Sequence, residues 1–363
     1  MKILCDRQRL LDAFSAIGSI PPQKTTKPVV QHVLARTTDA GLELVATDFE
    51  LSAKIRIDQV DVREPGELLL PAKETSALLR EISETSLSLT REEQRCRIDA
   101  GSGSFVLLGD DPREFPKEPQ VEADMSFELP ASALQEMVRR TSFAAAKEQT
   151  RYAINGLLMH VQDGSVRLVA TDGRRLALTY AAVDDPDTEG RVVVPLRTLQ
   201  LISKALDQDS TVTVSVSKTQ IAFRNGPLYM VSQLLEDRFP QYEQVIPKAA
   251  STTLEIDRVD LERNLRRVAV LCSGDVPMVR FAYDGDTLSL TTESANVGRA
   301  DQSMQISVKG DGGAISFNPE FLLDALKVSD LEQVRFDLSD ESTPGKVTLG
   351  EAYTYILMPV SGS

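Results

Sequence analysis

The chain has 363 residues, of which 42% are hydrophobic and 26% charged, and these values exclude a disordered or fibrous protein and predict two or three globular domains. Its formal net charge of −14 excludes a generally basic nucleic-acid coat but is compatible with a local basic surface. The three cysteines form no C-x-x-C pair, and no apolar run approaches the roughly 18 residues of a membrane span. We therefore expect a cytoplasmic protein without a disulfide framework, a cysteine zinc site or a membrane segment.

In chain order, one succession of elements is predicted three times. Each begins with a short strand, as at 126–129 and 253–256, and continues with a helix after a capping residue. These capping residues are Asp6, Ser132 and Asp257. Alternating strands follow, for example over 165–171 and 211–223. A second helix then follows at 73–82, 196–206 and 319–327. Two helices packed on antiparallel sheets define an α+β domain.

Matching strings show that these successions are internal repeats of about 121 residues, one third of the chain. Corresponding positions are 122 to 127 residues apart: Leu10, Leu134 and Leu261; Leu44, Leu168 and Leu290; and Pro71, Pro195 and Asn318. The proline-containing strings at 114–116 and 238–240 resemble linkers between repeats. The predicted domains are 1–123, 124–249 and 250–363.

The six predicted helices are more basic than the rest of the chain. Their charges sum to +5, which leaves −19 for all other residues. In the first helix of the third repeat, Leu261, Leu265 and Val268 lie on one face, and Arg263, Arg266 and Arg267 lie on another. If the three repeats place their helices on one side, an acidic protein acquires a basic surface suited to phosphates rather than to base sequence.

Residue patterns do not favour an enzyme. The two histidines, His32 and His160, lie in different repeats at positions that do not correspond. The pair Thr47-Asp48, repeated at 171–172, fits capping of a turn better than a metal site. The acidic stretch at 184–190 has Leu196 where a calcium loop needs a bidentate glutamate, and no phosphate-binding glycine loop occurs. We expect no catalytic residue, metal or cofactor.

Four strings resemble the bacterial sliding-clamp family, the β subunits of DNA polymerase III, and the resemblance extends over the whole chain. The strings are RYAINGLLMH, VATDGRRLAL, DRFPQYEQVIPK and the MPV near the C-terminus. The resemblance implies a head-to-tail homodimer in which three domains from each chain form a ring around double-stranded DNA, with helices inside and sheets outside. Such a ring is a non-catalytic processivity factor within the DNA polymerase complex.

The resemblance also implies a cleft between the second and third domains that binds short peptides. Its expected partners are the replicative polymerase α subunit, the clamp loader, repair and translesion polymerases, and ligase or mismatch-repair factors. The cleft residues would be Ile154, Thr171, Gly173, Arg175, Leu176, Pro240, Val245, Asn318, Phe321, Val347, Met358, Pro359 and Val360. Apolar walls would hold apolar peptide side chains, and Arg175 would bind polar atoms of the peptide.

For DNA, the resemblance implies a set of mostly basic positions on helices and loops. They are Lys24, Lys27, Lys73, Arg80, Arg139, Arg140, Lys147, Tyr152, Arg197, Lys204, Arg263, Arg266 and Arg267. Glu148 departs from the family because a carboxylate does not attract phosphate, so Lys147 or Gln149 is expected to replace it.

For the dimer, the resemblance suggests that Phe105 and Leu107, on an edge strand of the first repeat, meet Val270 and Leu271 after the first helix of the third repeat. Further departures from the family concern the polar rim of the cleft, on which partner preference depends. They are Gln244 in place of arginine, Val276 in place of an aromatic residue, Arg174 in place of histidine, and Phe321 in place of tyrosine. An acidic repeat scaffold that binds proteins without encircling DNA is the alternative, and it predicts neither basic helices nor ring closure.

Overall fold

The structure is a computed structural model that describes residues 1–147, 154–236, 238–274 and 276–360. The first repeat begins with a strand and a helix, as predicted, and its second helix follows β6 directly. Its elements are β1 (Lys2–Asp6), α1 (Arg7–Ile17), β2 (His32–Thr38), β3 (Gly41–Thr47), β4 (Leu51–Ile57), β5 (Asp61–Glu64), β6 (Glu67–Pro71), α2 (Ala72–Glu81), β7 (Ser86–Glu92), β8 (Arg95–Ala100) and β9 (Gly103–Leu108).

The second and third repeats follow the same order. The second contains β10 (Met125–Pro130), α3 (Ala131–Thr141), β11 (Gly156–Gln162), β12 (Ser165–Thr171), β13 (Arg175–Ala182), β14 (Gly190–Pro195), α4 (Leu196–Ala205), β15 (Thr211–Val216), β16 (Gln220–Asn225) and β17 (Leu228–Gln233). The third contains β18 (Thr252–Asp257), α5 (Arg258–Ala269), β19 (Val279–Asp284), β20 (Thr287–Ser294), β21 (Gly298–Gln305), β22 (Ser307–Lys309), β23 (Gly313–Phe317), α6 (Pro319–Lys327), β24 (Gln333–Leu338), β25 (Gly345–Gly350) and β26 (Tyr353–Leu357). The α+β prediction, with two helices in each repeat, is confirmed.

Two local predictions are wrong. Ser132 does not precede its helix, because α3 begins at Ala131 and Ser132 lies in the first turn. The predicted stretch over 211–223 is not one strand but parts of β15 and β16, joined by a turn in which the Ser217 amide donates to the Gln220 carbonyl at 2.8 Å. The other two caps are confirmed, since Asp6 accepts from the Arg9 amide and Asp257 from the Asp260 amide.

The chain divides into two compact units that do not follow the repeat boundaries. Unit 1 is 1–135, 183–189 and 197–235, and unit 2 is 136–182, 190–196 and 236–363. In unit 1, a five-stranded sheet has the order β5-β1-β7-β8-β9, and an eight-stranded sheet has the order β10-β15-β16-β17-β4-β3-β2-β6. In unit 2, a nine-stranded sheet has the order β14-β11-β12-β13-β26-β25-β24-β18-β22, and a four-stranded sheet has the order β21-β20-β19-β23.

The units cross the repeats because strands of neighbouring repeats pair within one sheet. In unit 1, β4 of the first repeat pairs with β17 of the second, with Leu51 opposite Ser232. In unit 2, β13 of the second repeat pairs with β26 of the third, with Arg175 opposite Leu357. Both pairings are antiparallel and continuous, so each unit contains one junction between repeats.

Helices cover their sheets through the apolar faces that the sequence predicts. In α5 the predicted stripe of Leu261, Leu265 and Val268 is completely buried, whereas the arginines on its other face are exposed. Among the described residues, no helix has both the length and the apolar character that a membrane span requires.

Candidate functional site

The turn between β12 and β13 in unit 2 shapes the candidate site. Thr171 Oγ1 accepts from the Gly173 amide at 3.1 Å, and Asp172 Oδ1 accepts from the amides of Arg174 and Arg175 at 2.9 and 3.1 Å. These bonds confirm the predicted turn-capping role of the Thr-Asp pair. They hold Gly173 at φ +85°, and a Cβ added there would meet no atom within 4 Å. The turn therefore leaves open space beside its third residue.

An apolar hollow of about 240 Å³ lies next to this turn. Eight of the residues expected from the sequence line it: Ile154, Thr171, Gly173, Arg175, Leu176, Pro240, Val245 and Met358. Sequence reasoning missed three more, which are Gln241, Tyr242 and Ile356. The first two belong to the quoted string DRFPQYEQVIPK, and Ile356 lies near the end of β26, two residues before Met358 of the MPV string, so the sequence contained the signal. A hollow of this size and lining suits apolar side chains of a peptide.

Arg175 lines this hollow and is held in place by contacts within the protein. It is only 7% exposed, and each guanidinium nitrogen already donates, to Asp172 at 3.0 Å, to Asp324 at 2.8 Å and to the Phe143 carbonyl at 2.7 Å. The rings of Phe143 and Phe321 lie 5.4 and 4.4 Å from the guanidinium carbon. Three of the five N–H groups are thus used within the protein, and binding of the peptide's polar atoms by Arg175 stays a prediction that rests on the remaining two.

We expect Arg175→Ala to lower the free energy of unfolding by about 3 kcal/mol, since it removes the partner of the half-buried Asp172 carboxylate and of the Phe143 carbonyl and leaves a gap between two aromatic rings. The measurement is urea denaturation of the full chain. Arg174→Ala is the matched control, because Arg174 is exposed and adjacent. Equal stability of the two variants would show that the Arg175 network does not support the turn.

Tyr242 lines the hollow, and His160 and Arg191 contact its hydroxyl and its ring. Its hydroxyl lies 3.1 Å from Nδ1 of His160, and the guanidinium of Arg191 lies 5.6 Å from its ring centroid. Burial lowers the pKa of His160, and the positive charges of Arg191 and Arg167 lower it further, so the neutral imidazole is favoured. His160 thus supports the site as a neutral hydrogen-bonding partner of Tyr242.

Five predicted cleft residues do not line the hollow. Val347 is completely buried in β25, and Asn318 caps α6 by accepting from the Glu320 amide at 2.9 Å. Phe321 stacks on Arg175 and lines a neighbouring, more acidic hollow. Pro359 and Val360 are half-buried after β26, where the Val360 amide donates to the Ser316 carbonyl. For Val347, direct contact with a peptide is excluded by burial.

Unit 1 contains the corresponding junction, but its hollow is smaller and polar. The same bonds recur in its turn, where the Phe49 amide donates to Thr47 Oγ1 at 3.1 Å and Asp48 caps the next two amides. The third residue has φ +77°, as at Gly173, but it is phenylalanine. The hollow measures about 110 Å³, and Ser52, Lys117 and Gln233 take the places of Leu176, Gln241 and Met358. Only the junction in unit 2 offers an apolar site of this kind among the described residues.

The predicted DNA-binding cations fall into two groups. Five have acidic partners: Arg139 and Arg140 pair with Glu136 and Asp330, Arg197 with Asp48, Arg263 with Asp260, and Arg266 with Glu262. Seven are exposed and form no salt bridge with any residue that the structure describes: Lys24, Lys27, Lys73, Arg80, Lys147, Lys204 and Arg267. Lys147 is exposed beside the acidic hollow next to Phe321. Tyr152, Glu148 and Gln149 lie outside the described residues.

The predicted dimer residues lie on an edge strand and at the C-terminal end of a helix. Phe105 and Leu107 stand opposite Ile98 and Cys96, which are completely buried, so they continue the core face of the sheet onto its edge strand β9. Val270 is the C-cap of α5 and is 75% exposed. Phe105 is 37% exposed, so each of the two predicted sides of the dimer contact presents an apolar side chain to solvent.

Four residues at the expected polar rim of the cleft differ from the family pattern. Of these, Arg174 and Val276 are exposed, and Gln244 hydrogen-bonds to Gln241 within a short helical turn. In the described parts of the chain, no group of three or more histidine, cysteine or acidic side chains is arranged to hold a metal ion.

Three family descriptions match consecutive parts of the chain. They are the DNA polymerase III beta subunit N-terminal domain over 1–119, central domain over 128–241 and C-terminal domain over 243–361. The beta sliding clamp of Chlamydia pneumoniae is 31% identical over 362 residues, which is 99% of both chains.

Solved structures agree with these matches. The DNA polymerase III subunit beta of Pseudomonas aeruginosa is 28% identical and superimposes with a TM-score of 0.94 over 100% of both chains. A second structure of a sliding clamp from that organism, bound to griselimycin, has the same identity, coverage and TM-score.

Proposed function

Because this chain belongs to the DNA polymerase III beta-subunit family, the bacterial sliding clamps, we propose that two copies close head to tail around duplex DNA and hold partner proteins through the apolar hollow of unit 2. As a sliding clamp it is a processivity factor of DNA polymerase and a non-catalytic subunit. It acts by topological attachment, which requires only weak phosphate contacts that do not depend on base sequence.

The observation that supports partner binding is the difference between the two junctions of the chain. Both have the same turn, but glycine and aliphatic walls leave about 240 Å³ in unit 2, whereas phenylalanine and polar walls leave about 110 Å³ in unit 1. We propose that one apolar peptide site per chain serves the polymerase α subunit, the clamp loader, repair and translesion polymerases, and ligase or mismatch-repair factors. One shared site makes these partners mutually exclusive on a protomer.

The internal strand pairings support a specific dimer contact. In each of these pairings, the third strand after the first helix of one repeat (β4 or β13) pairs with the last strand of the following repeat (β17 or β26). One strand of each kind lies at a sheet edge among the described residues: β21, the third-repeat counterpart of β4, and β9, the first-repeat counterpart of β17. We propose that β21 of one copy pairs antiparallel with β9 of the next, which brings Phe105 and Leu107 towards the partner's Val270 and Leu271.

For DNA, we propose that the seven exposed cations without salt bridges make the main phosphate contacts, and that the five ion-paired arginines contribute less because acids already neutralise them. The division into domains 1–123, 124–249 and 250–363, the cytoplasmic location and the role of Tyr152 are part of the same proposal. The competing scaffold function would use the peptide site alone.

The test of this function is retention on DNA. The protein is loaded with a clamp loader onto circular plasmid, half of which is then linearised, at salt high enough to screen phosphate contacts. We expect retention on circles and loss from linear DNA, because a closed ring leaves only at an end. Equal loss from both, with a loader that is competent on a control clamp, would favour the scaffold.

A further inference from the structure

The hollow of unit 1 is too small and polar for an apolar peptide, but it has further features that this does not explain. Phe49, at the tip of the β3–β4 turn, is 48% exposed and has φ +77°, a conformation that costs a non-glycine residue about 1 kcal/mol or more. The same turn in unit 2 has glycine at this place, so the fold does not require an aromatic residue here. The strained and exposed ring therefore needs a reason outside the turn.

One lysine lies over this ring and a second lines its hollow. The Lys27 ammonium lies 4.7 Å from its centroid, and Lys24 is exposed three residues earlier on the same loop. Lys117 lines the hollow itself and is exposed. Among the described residues none of these lysines forms a salt bridge, and the nearby carboxylate of Asp48 is neutralised by Arg197. Glu50 is the acid that remains on the hollow's wall.

Two amide side chains complete the lining. The backbone amides of Gln220 and Gln233 are bonded within unit 1, to Ser217 Oγ and to the Glu50 carbonyl. Both residues line the hollow, and among the described residues the amide group of neither side chain forms a hydrogen bond. Each offers a donor and an acceptor of the kind that reads the edge of a nucleobase.

We propose that this hollow, formed by Phe49, Lys117, Gln220 and Gln233 with Lys27 above the ring, binds an unpaired nucleotide of single-stranded DNA; this rests on the proposed function as a DNA clamp. The Lys27 ammonium moves from the Phe49 ring to a flanking phosphate and the base takes its place on the ring, while the two glutamines bond to the base edge and Lys24 and Lys117 receive other phosphates. An aromatic platform within a cationic surface is the usual arrangement for single strands. A partner peptide fits less well, because Ser52 and Gln233 replace the aliphatic wall and methionine of the unit 2 hollow.

The experiment measures binding of a fluorescein-labelled ten-nucleotide single strand to the full-length protein by anisotropy at low salt. We expect Phe49→Ala to weaken binding about fivefold or more, as loss of one stacked base does. Phe49→Leu, which keeps apolar bulk without the π-face, should weaken it similarly, so a folding defect is not the cause. Tyr180→Ala is the matched control, since Tyr180 is also 48% exposed but lies on β13 of unit 2, and it should bind as the unchanged protein does.

Three outcomes would overturn the proposal: no binding of the strand by the unchanged protein, equal binding by Phe49→Ala, or displacement of the strand only by a peptide that binds the unit 2 hollow. Retention on circular duplex is measured on the same proteins. If the unchanged protein is retained while Phe49→Ala binds single strands normally, only this inference fails. If the unchanged protein is not retained on circles, the proposed clamp function fails independently.

Discussion

Gly173→Phe is expected to raise the Kd of a partner peptide roughly 100-fold or more, because the new ring would occupy the hollow that the peptide's apolar residues enter. The fold should tolerate the change. A Cβ at Gly173 meets no atom within 4 Å, and the chain already holds a phenylalanine at φ +77° in the identically bonded turn of unit 1. The expected cost in stability is about 1 to 2 kcal/mol of backbone strain.

The measurement is titration of a fluorescent peptide, carrying the clamp-binding segment of the cognate polymerase α subunit, with the variant protein. Gly285→Phe is the matched control, since Gly285 is in another turn of unit 2 with φ +53° and equally open space, but does not line the hollow. It should suffer the same strain and bind peptide normally. Undiminished peptide binding by Gly173→Phe would place the peptide site elsewhere.

The reverse substitution, Phe49→Gly, tests whether the size of a hollow or the polarity of its walls decides peptide binding. Phe49→Gly should enlarge the hollow of unit 1 without creating a second peptide site, because Ser52, Lys117 and Gln233 keep its walls polar. Two peptides bound per chain in this variant would show that ring size alone distinguishes the two junctions.

Val270→Asp combined with Leu271→Asp is expected to convert the dimer to a monomer. Two carboxylates at the end of α5 would have to be buried without partners against Phe105 and Leu107 of the second copy, and burial of unpaired charge costs several kcal/mol. Val270 is 75% exposed in the single chain but Leu271 is half-buried, so we expect a modest loss of the monomer's own stability that leaves it folded. The measurement is molar mass by light scattering, together with thermal unfolding.

Val259→Asp is the matched control, because Val259 is an exposed valine at the start of the same helix. It should remain dimeric. A dimer that persists in the double variant would refute the assignment of the contact, and retention on circular DNA should be lost together with the dimer if the ring is what holds the DNA.

Local features of this protein follow from the sequence because they depend on neighbouring residues. The threefold succession of elements, the buried stripe of Leu261, Leu265 and Val268, and the turns capped by Thr-Asp pairs all arise from short-range periodicity and side-chain hydrogen bonds. Eight of the thirteen predicted cleft residues line the hollow, and all eight lie in the four strings that resemble the family.

What only the tertiary structure decided depends on residues far apart in the chain. The pairing of β13 with β26 and of β4 with β17 determines which side chains meet at each junction. At the first junction Gly173 faces open space, whereas at the second Phe49 lines a polar hollow. The engagement of Arg175 by Asp324 and Phe143 is likewise invisible in the string TDGRRL. A sequence pattern identifies a residue as part of a site, but burial and the partners brought by distant strands determine whether its polar atoms are free to bind.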